Sequence, residues 1–144
     1  MADNLHIYEL SMKIGEKIWE IVNNWDSFAK ETIGKQLVQK ADSVACNLNK
    51  YYGNKNESDT SEKTYFTIVH LNEIKTLIAK ATQRKLISEK EYNNISTQIN
   101  VISFLLNKYV RSVKQNKIRT NKNEIIELKK YNRIIYERNI NNQA

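Results

Sequence analysis

Apolar residues recur along this chain at steps of three and four, the spacing that lines one face of an α-helix. Ile7, Leu10, Ile14, Ile18, Ile21 and Trp25 define a first helix of about residues 5–25, with Asn4 as its N-cap. Asp26 and Ser27 supply a break and a new cap. Ile33, Leu37, Ala41, Val44, Leu48 and Tyr51 then mark a second helix of about 28–53, closed by Gly53. The run NKNESDTS, residues 54–61, contains no apolar residue and reads as a connection, with Asp59 and Glu62 spaced as a capping box for the next helix. That third helix, about 60–85, carries Thr67, Leu71, Ile74, Ile78 and Ala81 on one stripe. The clearest start signal is Ser88-Glu89-Lys90-Glu91, with Ser at the N-cap, Glu three residues on, and Ile87 and Tyr92 placed as a hydrophobic staple.

The fourth helix follows, about 89–118, with Ile95, Ile99, Ile102, Leu106, Tyr109 and Val113 as its seam. Four amphipathic helices joined by short links predict an all-α, up-down-up-down antiparallel four-helix bundle over residues 1–118. After Val113 the pattern changes. KQNKIRTNKN, residues 114–123, has too little apolar character to bury a face, so the fourth helix either frays there or projects. Residues 119–144 form a basic C-terminal extension in which Ile125, Leu128 and Ile135 keep helical spacing. They suit a short fifth helix, docked on the bundle, on a neighbouring subunit or on a partner.

Composition supports the helical reading: among 144 residues there is no proline, and only three are glycine. A lone Cys46 forms no internal disulfide and fits a reducing compartment. The start, MADNLHIYEL, lacks the basic and apolar regions of a signal peptide, and no apolar run approaches the roughly 20 residues of a membrane span. The expectation is a soluble, cytoplasmic protein.

Charge sharpens the picture when divided along the chain. Residues 1–107 carry equal numbers of acidic and basic residues, whereas residues 108–144 carry 10 Lys and Arg against Glu124, Glu127 and Glu137, which accounts for the whole net charge of +7. A localised positive field attracts polyanions, because each phosphate contact releases counterions. Lys108, Arg111, Lys114, Lys117, Arg119 and Lys122 are the first candidates for nucleic-acid contact, and Lys129, Lys130 and Arg133 the second. At helical pitch Lys108, Arg111, Arg119 and Lys122 fall opposite the Leu106/Val113 seam.

Catalytic chemistry finds little support. A nucleophilic Cys46 needs a base such as His6 or His70, yet it lies near the apolar stripe between Val44 and Leu48, where a free cysteine is a small buried hydrophobe. One Cys and two distant His do not make a zinc site, and the Glu-x-x-His pairs of a di-iron bundle are missing. The expectation is no catalysis, no metal and no cofactor. Ser43, Asn47 and Glu73 are polar residues beside the core stripes; Ser43 suits a bond to its own helix and Asn47 a pairing across the bundle. Tyr51 and Tyr52, beside Lys50 and Lys55, suit either base stacking or the core.

Gln36-Leu37, Ala41, Ser43, Asn47 and Tyr52-Gly53, followed by Leu71-x-Glu73, Ile78-Ala79-Lys80, Leu86 and Glu91-Tyr92, resemble a known pattern. It is that of the four-helix bundle proteins encoded in intervening sequences of bacterial large-subunit ribosomal RNA genes, a ribosomal-protein-like family. That family is similar to the accessory variability determinant of diversity-generating retroelements. The resemblance covers roughly residues 5–115. It implies a ring-like homopentamer with a positive surface and a nucleic-acid-binding or accessory role, a reverse transcriptase being the partner of the retroelement relatives. The chain departs from the family's Ser-Ile-Pro-Ala-Asn-Ile-Ala-Glu-Gly: Cys46 stands in place of alanine, Lys50 replaces the acidic residue and the proline is absent. The extension beyond about residue 118 is outside the common pattern.

Overall fold

The computed structural model of the chain describes the backbone of residues 2–49 and 57–143, and side chains within 6–48 and 62–143 except that of Val113. It is all-α. Helix α1 runs Ala2–Asn23; α2, Ser27–Ala29, passes through a π turn, Lys30–Gly34, into α3, Lys35–Asn49; α4 runs Glu57–Gln83 and α5 Glu89–Gln143. The residues divide into two compact units, Met1–Lys108 and Tyr109–Ala144.

In the first unit the four apolar stripes meet as expected. Ile14 and Ile18 of α1, Leu37 and Ala41 of α3, Leu71, Ile74 and Ile78 of α4, and Ile95, Ile99 and Ile102 of α5 are buried in one cluster. Each such Ile or Leu contributes on the order of 1.5–3 kcal/mol by leaving water. Helix α3 lies against both α1 and α4. This is the four-helix bundle that the periodicity predicts.

The ends explain the direction of the chain. Carbonyls of Ile21 and Val22 accept from the N–H groups of Asn24 and Trp25, which tightens the last turn of α1. Asp26, in extended conformation, accepts at 3.0 Å from the Ala29 N–H and starts α2. At the end of α4, Leu86 N–H donates to the Ala81 carbonyl and Lys85 N–H to that of Thr82, a Schellman motif. Its left-handed residue is Lys85, at φ 59°. Ser88 Oγ then accepts from Glu91 N–H at 3.1 Å to open α5, with Ile87 buried beneath. The Trp25 indole donates to the Leu86 carbonyl at 3.0 Å, so the C-terminal ends of α1 and α4 sit at the same end of the bundle. Successive helices therefore alternate in direction.

Four expectations about boundaries are corrected. Helix α1 starts at Ala2, a strong helix former, so Asn4 falls within its first turn instead of capping it. Helix α4 starts at Glu57, so Asp59 falls within its first turn and Glu62 beyond it, and the two are not its capping box. The second helix is not uniform, because an extra residue is wound into the π turn, where Lys35 N–H reaches back to the Lys30 carbonyl. Finally, α5 neither frays at 114–123 nor gives way to a separate fifth helix. Lys, Arg and Gln are good helix formers, and no glycine or proline interrupts Glu89–Gln143. Tyr51, Tyr52 and Gly53 lie outside the described residues.

The π turn depends on Gly34. A Cβ there would come within 2.7 Å of Val22 Cγ1 and 3.0 Å of the Ala29 carbonyl oxygen, neither of which yields easily. Gly34→Ala is expected to destabilise by about 1–2 kcal/mol, overpacking outweighing the helix-propensity gain, as read from urea unfolding. Lys85→Gly should do the reverse and stabilise by about 1 kcal/mol, since glycine adopts the left-handed region without strain.

Candidate nucleic-acid interface

In the second unit α5 continues as a helix whose described side chains from Arg111 to Gln143 are all exposed. At 3.6 residues per turn, Arg111, Arg119, Lys122, Lys129, Lys130 and Arg133 fall within an arc of about 100°. The arc extends over about 33 Å, close to one turn of a nucleic-acid duplex. Lys114 and Lys117 lie outside it, turned toward the neighbouring face. Lys108, also exposed, closes the first unit.

Two of these cations are held by acidic neighbours on their own helix. Lys130 Nζ lies 3.4 Å from Glu127 Oε1, and Arg133 Nε lies 3.2 Å from Glu137 Oε1. Such exposed pairs contribute about 0.3–0.5 kcal/mol each to the helix and are screened by salt. Residues 109–144 hold nine Lys and Arg against three Glu, so the pairs leave the face strongly positive.

The motif residues of the first unit have structural surroundings. Leu37 and Ala41 are buried, Gln36 is exposed and Asn47 is half-buried. Ser43 Oγ donates to the Gln39 carbonyl at 2.8 Å, the bond to its own helix that its position suggests. Glu73 is half-buried and exchanges a salt bridge with Lys40, tying α4 to α3; His70 Nδ1 stands 3.7 Å from the same carboxylate. The Lys40 hydrogen bond, chiefly, holds the Glu73 carboxyl below its ordinary value, with the Lys40 charge adding to it and partial burial opposing.

Cys46 corrects an expectation. It is exposed, and Ala45 is the buried residue beside Val44. One residue advances about 100° around a helix, which takes Cys46 off the apolar stripe. Among the described residues no group of three or more His, Cys, Asp and Glu is placed to hold a metal ion, and no helix is long and apolar enough to cross a membrane.

Periodicity passed over one surface. Trp19 and Phe28 lie off the core stripe and are 56% and 80% exposed. Trp19 borders an apolar groove of about 260 Å³ with Val22, Gly34 and Val38, flanked by Lys30 and Lys35. A large aromatic at a solvent-facing helix position was the available signal.

Residues 3–108 match the family described as 23S rRNA-intervening sequence protein. A solved structure of a protein with unknown function from the S23 ribosomal protein family of Bacteroides thetaiotaomicron superposes with a TM-score of 0.69 at 19% identity. The match covers 77% of this chain and 99% of that one, and shows a shared fold. No curated protein matches the chain.

Glu73→Gln tests the α3–α4 tie. Because folding lowers the carboxyl's pKa, the stabilisation is complete above about pH 5 and disappears as the pH falls through the folded value. The substitution should cost a few tenths to about 1 kcal/mol at pH 7 and progressively less as the pH falls below the ordinary carboxylate range, measured by urea unfolding at a series of pH values.

Proposed function

The chain belongs to the 23S rRNA-intervening sequence protein family, and from that premise we propose that it is a non-catalytic, oligomeric nucleic-acid-binding protein. Its contacts are with phosphates, and the basic face of α5 makes them. The observation that carries this reading is the confinement of the excess charge to one exposed helix whose cations share an arc. Arg and Lys spaced along a rigid helix meet a phosphate backbone without requiring any base sequence. The family is ribosomal-protein-like and not a known enzyme family. RNA is the phosphate polymer to test first, given the family's description.

Assembly is part of the proposal, as a homopentamer by resemblance. Exposed Met12, Trp19 and Phe28 in the first unit leave apolar surface for a neighbouring copy to cover.

Binding to a single-stranded RNA, followed by fluorescence anisotropy across salt concentrations, tests the reading. If the six arc cations each meet a phosphate, log K should fall against log salt with a slope of roughly −4. Arg119→Gln with Lys122→Gln should reduce the steepness by about 1.4, while Lys114→Gln with Lys117→Gln should change it less. Truncation after Val113 should remove most of the affinity. A truncated chain that binds as tightly as the full one overturns the proposal, and a protein partner captured after nuclease treatment and high salt would favour an adaptor role.

A further inference from the structure

The final helix carries a second pattern beside its basic arc. Ile118, Ile125, Leu128 and Ile135 are exposed, between 40% and 60%, and their spacings of seven, three and seven place them on a single heptad seam. Asn121, Asn132 and Asn139 fall on the same seam. The other apolar residues of this segment, Ile126 and Ile134 among them, do not repeat at that spacing and lie off the seam. The unit thus presents an apolar stripe that nothing within it buries.

Charge indicates the occupant. The second unit has three acidic residues; Glu127 and Glu137 pair with cations on their own helix, whereas Glu124 makes no such pair, and neither does Lys129. In the heptad frame Glu124 and Lys129 flank the seam on opposite sides, five residues apart. This is the relation that brings them together between two parallel, in-register helices. We propose that residues 118–139 pair with the same segment of a second copy of this chain as a parallel coiled coil. Glu124 of each copy meets Lys129 of the other, and Asn121, Asn132 and Asn139 face their own counterparts.

The apolar pattern alone fits either direction, because an antiparallel pairing also sets isoleucine on isoleucine and asparagine on asparagine. The flanking charges separate the two. Antiparallel helices would put Lys122 against Lys129 and Lys117 against Arg138, with no opposite pair to offset them. Parallel helices place Lys117 near Lys122 twice by symmetry, but gain the Glu124–Lys129 pair as many times to offset it. Seam asparagines weaken such a pairing while fixing its register. Of the arc cations, Arg119, Lys130 and Arg133 remain on the outer side of the paired helices, whereas Lys122 and Lys129 flank the seam.

Disulfide cross-linking of the full chain tests this. In a Cys46→Ser background, which removes the exposed native thiol, Ile118→Cys and Ile135→Cys are each oxidised alone under mild conditions at low salt. Each should form covalent dimers roughly tenfold or more faster than Ile134→Cys, on the opposite face of the helix, because pairing raises the local thiol concentration. Glu124→Lys should slow the reaction, and adding Lys129→Glu should restore it. Cross-linking of both single variants at the rate of Ile134→Cys overturns the proposal. So does a product that appears only when the Ile118→Cys and Ile135→Cys chains are mixed, the sign of antiparallel pairing. RNA binding is not read in this experiment, so its result stands apart from the function proposed above.

Discussion

Burial of branched aliphatic side chains against one another is the constraint on which the first unit depends. Ile74, Ile78, Ile95, Ile99 and Ile102 lose essentially all contact with water. Their stiff, bulky shapes fill the interior at fixed positions. With the stripes committed inward, the charged residues of each helix are forced outward, buried Ser11 and Thr67 donate to carbonyls of their own helices, and a few links at the ends supply specific chemistry. These are the Asp26 and Ser88 caps and the Trp25–Leu86 bond. The same constraint marks a limit along α5: Leu106 is the last described residue of the chain that is fully buried. Beyond it, charge and helix propensity take over from the core as the determinants of structure.

The stripes were legible because a buried helix face imposes its 3.6-residue period directly on the residue types. The caps at Asp26 and Ser88 were legible for a similar local reason: a side-chain oxygen must stand at that position to accept an orphan N–H. What the sequence did not disclose depended on contacts between elements or on small angles. The π turn follows from how closely Val22 and the Ala29 carbonyl approach Gly34, a distance that no local pattern encodes. Cys46 was misplaced by a single residue of helical rotation. The run at 114–123 looked like a break because it has almost nothing to bury, but a helix rich in Lys, Arg and Gln needs no buried face at every turn to persist. Glu73 looked like a buried polar group; its partner, Lys40, comes from a helix 33 residues earlier.

The candidate interface was legible as charge but not as geometry. Counting residues located the excess beyond residue 107, while the unbroken helix sorted those cations by azimuth, gathering six into one arc and leaving Lys114 and Lys117 aside. The same sorting set Ile118, Ile125, Leu128 and Ile135 on a neighbouring azimuth. Two demands, polyanion contact and pairing with a like helix, can therefore share a segment without competing for most of their residues. Composition averages over the helix circumference and cannot make that distinction.

The indole bond between Trp25 and the Leu86 carbonyl spans 61 residues of sequence. Helical bundles fold quickly because most of their contacts are local, each helix closing its own turns before any long loop is shut. This bond belongs to the slower class, formed only once α1 and the end of α4 have met. The environment of Trp25 is thus a clock for the assembly of the bundle, whereas Trp19, facing solvent on the preceding turns, keeps no such time.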